Sequence, residues 1–289
     1  MKIDLHMHST ASDGKLTPCE VVNLAIRKKL PAIAITDHEV VGGSKEAIEY
    51  ARDKNIEVVS GIEIGADDEN SGIYDVHIVG LFLDLDNKGL LELSKKLMKA
   101  RETQKKEIIG RLNKLGYKIT FEELKKEAGG VNYGRPHVAR ILMRKYSEFE
   151  KMQDIFDRLL GDSGEAYVRQ EKDTIKNTID VIHNAGGIAV LAHPMFFQDA
   201  ENVVEKFIEC GGDGVEVDYF YVGRGVGKAE ARKKIDKIRR IAKKKSLIIS
   251  GGGDFHSDVD SQEIGDHGLT REEFENLKKF WKAKNGSNQ

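Results

Sequence analysis

The chain has 289 residues, 39% hydrophobic and 33% charged, enough for one large domain or one domain carrying a sizeable insertion. Its 46 Lys/Arg against 48 Asp/Glu leave a formal net charge of −2, which argues against bulk nucleic-acid binding but permits a local basic patch. No apolar run approaches the roughly 18 residues needed to span a bilayer, there is no signal-peptide pattern, and Cys19 and Cys210 form no metal-spacing motif; a reduced, cytoplasmic protein without a membrane partner is expected.

The first stretch reads MKIDLHMHSTASDG. On an extended strand His6 and His8 share a side, so two imidazoles aim at one point, with Asp13 just beyond. Two such nitrogens suit a divalent transition metal, or merely a polar strand end. Thr17-Pro18 opens a helix with an apolar stripe from Val21 to Leu30. The run Ala32–Thr36 reads as a buried parallel strand delivering Asp37 and His38. A helix over about 45–54 follows, then the strand Val58–Ile62 ending at Glu63, and a strand around Val76 to Leu83 carrying His77. This rhythm predicts parallel β/α units with polar residues at strand ends, where a closed barrel places its chemistry.

From about Leu90 to Gly116 the chain reads instead as one long charged helix, with shorter helical pieces to about Leu160. Residues 87–170 are therefore expected to form an inserted helical subdomain, between barrel segments 1–86 and 171–289. Between Lys95 and Glu127 there are 11 Lys/Arg against 5 Asp/Glu, which fits either a solvated helix with i,i+4 pairs or a basic cover over an anionic substrate. The barrel rhythm returns near Thr174. A helix runs to Asn184, the strand Ile188–Ala192 delivers His193, and a strand at Gly214–Val217 ends near Glu216 and Asp218. A basic amphipathic helix over about Lys228 to Lys244 precedes the strand Leu247–Gly251 and then Gly253-Asp254-Phe255-His256. Glu263–Gly265 is a last strand candidate, and Arg271 to Lys282 a closing helix.

Six of the nine histidines fall at strand ends, with three or four carboxylates. One such histidine would be unremarkable; six call for a polynuclear metal site with two or three divalent ions, and mixed His/carboxylate ligation without thiolate favours Mn, Fe or Zn.

These motifs (Asp4-Leu5-His6-Met7-His8-Ser9, Ser12-Asp13-Gly14, Ile35-Thr36-Asp37-His38, Gly61-Ile62-Glu63, His77, Ala192-His193-Pro194 and Gly253-Asp254-Phe255-His256) resemble the polymerase and histidinol phosphatase (PHP) family of metal-dependent phosphoesterases. The resemblance implies an α/β fold, a distorted (β/α)7 barrel with an inserted helical subdomain, and a trinuclear site. It would place His6, His8, Glu63 and Asp254 on one ion, Asp13, His38 and His256 on a second, and bridging Glu63 with His77 and His193 on a third. Asp37 would orient a ligand such as His38. The helical insertion is similar to that of the branch acting on nucleoside 3′,5′-bisphosphates or 5′-phosphorylated RNA, and Gly134-Arg135-Pro136-His137 resembles a motif of that insertion. Arg135 and His137 at a helix start suit phosphate contact, with Arg169 a further substrate-binding residue.

The expected reaction is in-line attack on phosphorus by metal-activated water, stabilised by Arg135, with His137 or a water protonating the leaving oxygen. The partner is a phosphorylated nucleotide or short RNA, and DNA is not expected. The alternatives are a 5′→3′ exoribonuclease, another metal hydrolase acting on amides or amines, and a non-catalytic metal-binding module.

Overall fold

The computed structural model describes residues 2–129, 132–222, 226–257 and 263–286. In chain order the elements are α1 (Pro18–Arg27), β1 (Ala32–Ile35), α2 (Gly42–Ala51), β2 (Glu57–Asp68), β3 (Ile73–Leu81), α3 (Lys88–Lys114), α4 (Phe121–Ala128), α5 (Arg135–Lys145), α6 (Met152–Ile155), β4 (Asp173–Thr174), α7 (Ile175–Asn184), β5 (Ile188–Leu191), α8 (Ala200–Glu209), β6 (Gly214–Tyr219), α9 (Lys228–Lys245), β7 (Ile248–Gly252) and α10 (Arg271–Gly286). A π-helical turn, Phe156–Leu160, continues α6, and a 3-10 turn, Pro194–Phe196, follows β5.

The strands form one sheet in the order β1-β2-β3-β5-β6-β7, with the two-residue β4 paired to β2. The opening segment closes this sheet into a barrel. Leu5 N–H donates to Gly251 O (3.1 Å) and His8 N–H to Phe255 O (2.8 Å) on one side. On the other, Asp4 O accepts from Ala34 N (3.0 Å) and Met7 O from Thr36 N (2.8 Å). The segment is thus a stave between β7 and β1, although its pairing consists of isolated bridges only.

Two features depart from the sequence expectations. β2 and β3 are antiparallel, and so are β3 and β5, whereas uniform β/α units were expected. The physical reason is the connection: only residues 69–72 separate β2 from β3, and a parallel crossover needs a dozen or more residues. Residues 263–265 form no strand; Ile264 is simply buried beside α1 and α2, and it is Leu269 that bridges Ile3.

Helix α1 begins where the sequence indicated, with Thr17 and Glu20 forming a reciprocal capping box and Pro18 in the first turn. The apolar side chains divide along α3. Leu90, Leu93 and Leu97 join the barrel core with Ile179 and Ile182 of α7. Further along, Ile108, Ile109 and Leu112 belong to a separate cluster with Leu124, Ile141, Leu142, Ile155 and Leu160. The first half of α3 therefore anchors to the barrel, and its second half carries α4–α6 on a core of their own. Among the described residues, no helix is long and apolar enough to cross a membrane.

Candidate metal centre

The barrel topology brings nine residues distant in sequence to one end of the sheet. His6 and His8 come from the closing stave and Asp13 from the turn beyond it. His38 follows β1, Glu63 lies within β2, His77 within β3, His193 follows β5, and Asp254 and His256 follow β7. His193 (φ 31°) and Asp254 (φ 55°) adopt left-handed backbone conformations that cost a non-glycine residue of order 1 kcal/mol or more. Both carry side chains of the cluster.

Glu63 is its hub. Its Oε1 lies 2.9 Å from His77 Nδ1, 3.3 Å from His193 Nε2 and 3.4 Å from His6 Nε2. Its Oε2 lies 2.9 Å from His38 Nδ1 and 3.2 Å from His8 Nε2. Burial pushes this carboxyl up, but His38, His6 and His77 outweigh it and hold it well below the usual carboxylate range. Asp13 is likewise raised by burial and pulled well down by His256 and His38. Its Oδ1 lies 3.3 Å from His256 Nε2.

Among the described residues, four buried atoms in this cluster have no hydrogen-bond partner: His6 Nε2, His8 Nε2, Asp13 Oδ1 and Glu63 Oε2. A buried polar atom left unsatisfied costs about 1–3 kcal/mol, and four that converge are what a cation site needs. Among the described residues, three sets have ligand atoms within 4.8 Å of one another: His6, His8, Glu63 and Asp254; His8, Asp13, His38 and His256; and His38, Glu63 and His77. The first matches the grouping expected from sequence. The second adds His8, and the third has His38 where His193 was expected, with His193 Nε2 still 3.3 Å from Glu63. The imidazole and carboxylate donors fit divalent transition metals.

A further layer fixes these rings. Glu216, buried inside β6, places Oε1 3.1 Å from His6 Nδ1 and accepts the His193 backbone N–H with Oε2 (2.9 Å). Tyr219 donates its hydroxyl to Asp254 Oδ2 (2.7 Å). Asp37 does not orient His38 as expected. Its carboxylate accepts from Ser9 N–H (2.7 Å), Ser9 Oγ (2.7 Å) and Ser12 Oγ (2.6 Å), and Ser12 Oγ lies 3.4 Å from His8 Nδ1. It steadies the turn after the first stave, and through Ser12 the ring of His8.

Two cavities share Asp13, His38 and His77 as wall and lie on either side of Pro136. One, of about 410 Å³, runs beneath α3 and α5 and presents Arg101, Lys105, Arg135, Arg169 and Lys172. The other, of about 530 Å³, is bordered by Met152, Phe196 and Tyr219.

Lys105 is 1% exposed, donates to Gln104 Oε1, and has no carboxylate partner among the described residues. Burial, reinforced by Arg101 and Arg135, drives its ammonium pKa well down. Arg101 instead pairs with Glu39, Nε to Oε2 2.7 Å, and Gln170 donates to the other oxygen (3.0 Å). Burial raises Glu39, but Arg101 overrides it and brings its pKa down to about 2. The sequence reading counted Lys105 only as part of a charge run. The signal was available: Arg101 and Lys105 continue the stripe Leu93–Leu97–Ile108–Leu112 that α3 buries.

The three expected substrate residues part company. Arg135 and Arg169 line the smaller cavity. Arg135 Nη1 donates to Leu160 O (3.2 Å) and Asp162 Oδ1 (3.3 Å). Arg169 pairs with Asp67 (2.6 Å) and lies over the Tyr74 ring at 3.8 Å. His137 lines neither cavity. Its Nδ1 accepts from Gly134 N–H (2.9 Å), which makes it a cap of α5, and burial lowers its pKa to about 4. A buried neutral imidazole already accepting at Nδ1 is a poor proton donor, so the expected catalytic role does not fit this geometry.

A barrel whose strand ends converge imidazoles and carboxylates around orphaned donor atoms, beside a cation-lined cavity, fits a metal-dependent phosphoesterase. The chain belongs to the PHP domain family, which it matches over residues 4–250. It is 34% identical over 268 residues to a 5′-3′ exoribonuclease of Haemophilus influenzae, covering 91% of this chain and 93% of that protein. A 3′,5′-nucleoside bisphosphate phosphatase of Chromobacterium violaceum is 29% identical over 263 residues, covering 88% of this chain and 87% of its own. A solved structure described as an amidohydrolase from the same organism, holding sulfate and no metal, superposes with a TM-score of 0.82 at 27% identity over 96% of each chain.

Proposed function

We propose that this protein hydrolyses the P–O3′ bond of a 5′-phosphorylated nucleotide, releasing phosphate from nucleoside 3′,5′-bisphosphates such as adenosine 3′,5′-bisphosphate. The relatives' two activities reduce to one chemistry. Cleavage at O3′ of a bisphosphate releases phosphate, and cleavage at O3′ of the first nucleotide of a 5′-phosphorylated RNA releases a mononucleotide. A 5′→3′ exoribonuclease is thus the second reading, on the same residues.

The observation that carries the proposal is the buried Lys105, without a carboxylate partner among the described residues, beside Arg101 and Arg135 in a cavity walled by Asp13, His38 and His77. Burial disfavours its charged form, which an anion in the cavity would restore and complete, and neither amide hydrolysis nor deamination requires such a group.

His6, His8, Asp13, His38, Glu63, His77, His193, Asp254 and His256 are assigned to hold two or three divalent ions, Mn, Fe or Zn. When bound, such ions bring water's pKa toward neutrality and offset charge on the phosphoryl oxygens. Arg135 and Lys105 hold the phosphates in place. Glu216, Tyr219 and Asp37 keep ligand side chains in position, and residues 87–170, as an insertion anchored by the first half of α3, cover the site and exclude water. Two free cysteines are in keeping with a reducing, cytoplasmic setting. A panel of adenosine 3′,5′-bisphosphate, 5′-phosphorylated RNA, N-acyl amides and adenosine, assayed with Mn²⁺, is the test. Turnover of amides or adenosine alone would overturn the reading.

A further inference from the structure

Helix α9 carries a concentration of charge that the chain's composition does not force. It holds ten Lys/Arg and two Asp/Glu in 18 residues. The rest of the chain, with 36 basic and 46 acidic residues, carries −10. Its buried stripe is Ala231, Ile238, Ile241 and Ala242. On the far side Lys233, Lys237, Arg240 and Lys244 recur at i, i+4, i+7 and i+11, one exposed row about 16 Å long at 1.5 Å per residue.

Ordinary surface helices neutralise such rows with paired carboxylates. Here Lys237 faces Glu201 at 3.8 Å, Arg239 faces Glu273, and Lys245 faces Glu205. Among the described residues Lys233, Arg240 and Lys244 form no ion pair, although Arg240 and Lys244 share a cavity wall with Glu201 and Glu205, and Arg240 donates to the Asp236 carbonyl.

The row leads away from the active site. Lys234 donates to Met195 O (2.8 Å), fastening α9 to the turn Pro194–Phe196 that follows His193. The Phe196 ring on that turn is 44% exposed, lies 5.7 Å from His193 and 5.6 Å from Tyr219, and borders the larger cavity. An exposed aromatic ring at a cavity mouth, continued by a row of cations, is the arrangement that stacks bases and follows the backbone of single-stranded nucleic acid.

We infer that α9 is the downstream track for a single-stranded 5′-phosphorylated RNA: the first nucleotide occupies the basic cavity, and the chain leaves past Phe196 along Lys233, Arg240 and Lys244. The inference rests on the proposed phosphoester chemistry and, for its oligonucleotide reading, assigns the surface that holds the rest of the chain.

The test is the triple substitution K233Q/R240Q/K244Q against K88Q/K95Q/K99Q, which removes the same charge from exposed positions of α3. Each is assayed on a 12-nucleotide 5′-phosphorylated RNA and on adenosine 3′,5′-bisphosphate over a salt series. The α9 variant should raise KM for the RNA about tenfold at low salt without changing kcat. It should also flatten the dependence of log KM on log salt by about 2, at roughly 0.7 for each phosphate no longer neutralised. KM for the bisphosphate should stay unchanged, and the α3 variant should behave as wild type.

An unchanged KM for RNA, or an equal loss on both substrates, overturns the track. Bisphosphate turnover with no RNA turnover overturns it while sparing the phosphatase reading. If neither substrate turns over, that reading fails, and fluorescence anisotropy of labelled RNA decides the track alone, by whether the α9 variant loses binding. Loss of binding to anionic phosphatidylserine vesicles with RNA binding intact would assign α9 to a membrane surface and overturn the proposal.

Discussion

Glu216 Oε1 lies 3.1 Å from His6 Nδ1, a contact that suits a proton on Nδ1 and directs Nε2 toward Glu63 and Asp254. The same carboxylate accepts the His193 N–H and so steadies a residue held at positive φ. Removing a partner of this kind ordinarily costs 10–100-fold in metal affinity. Glu216→Ala should weaken the tightest Mn²⁺ equivalent by that factor in a competition titration with a chelator, and Glu216→Gln by less. An unchanged affinity would contradict the orienting role.

Lys105 sets function against stability. A buried ammonium without a carboxylate partner is costly, and an apolar side chain of similar length removes that cost. Lys105→Met should therefore raise Tm in phosphate-free buffer, by about 2–4 °C for each kcal/mol gained. At the same time kcat/KM for the bisphosphate should fall about 10–100-fold, the worth of one charge-assisted phosphate contact. Inorganic phosphate should raise Tm of the wild type more than of the variant. A variant both less stable and equally active would refute the assignment.

Arg101 and Glu39 form a buried pair in the cavity wall, so removing one partner strands the other. Arg101→Met should destabilise the protein by about 3–5 kcal/mol, and Arg101→Met with Glu39→Gln should recover much of that loss. Chemical denaturation of the four proteins of the cycle measures it. Additive losses would show that the two residues act independently.

The legible part of this protein was the part written in local spacing. His6-Met-His8, Asp37-His38 and Asp254-Phe255-His256 each place ligand types at a strand end within a few residues. What the spacing cannot show is pairing across the barrel, so Glu216 reads only as a strand end, and the ligand that Asp37 steadies is His8, through Ser12, rather than His38. The antiparallel β2–β3 pair was readable from its short connection and was obscured by the β/α rhythm on either side. His137 looks catalytic because it stands two residues from Arg135, but that spacing is about half a helical turn and turns the two side chains to different surroundings.

That difference gives a pH prediction. Burial lowers His137 from an ordinary 6.5 to about 4, so the unfolded chain takes up its proton first. Its contribution to stability is complete above about pH 6.5 and is lost as pH falls toward 4. His137→Gln keeps an acceptor for Gly134 N–H and does not titrate. In metal-stripped protein, its Tm relative to wild type should therefore rise as pH falls from 6.5 to 4. A pH-independent difference would show that His137 does not titrate as its burial requires. Activity should change less than threefold in His137→Gln, against about 100-fold in Arg135→Ala.

In the proposed assignment, nine residues hold metal for phosphoester hydrolysis. Its most direct test is phosphate release from adenosine 3′,5′-bisphosphate by chelator-stripped protein as Mn²⁺ is added back in sub-stoichiometric steps. Release should be absent at zero metal and climb to a plateau at two to three equivalents per chain. Full release before any metal is added, or none at any loading, would contradict it.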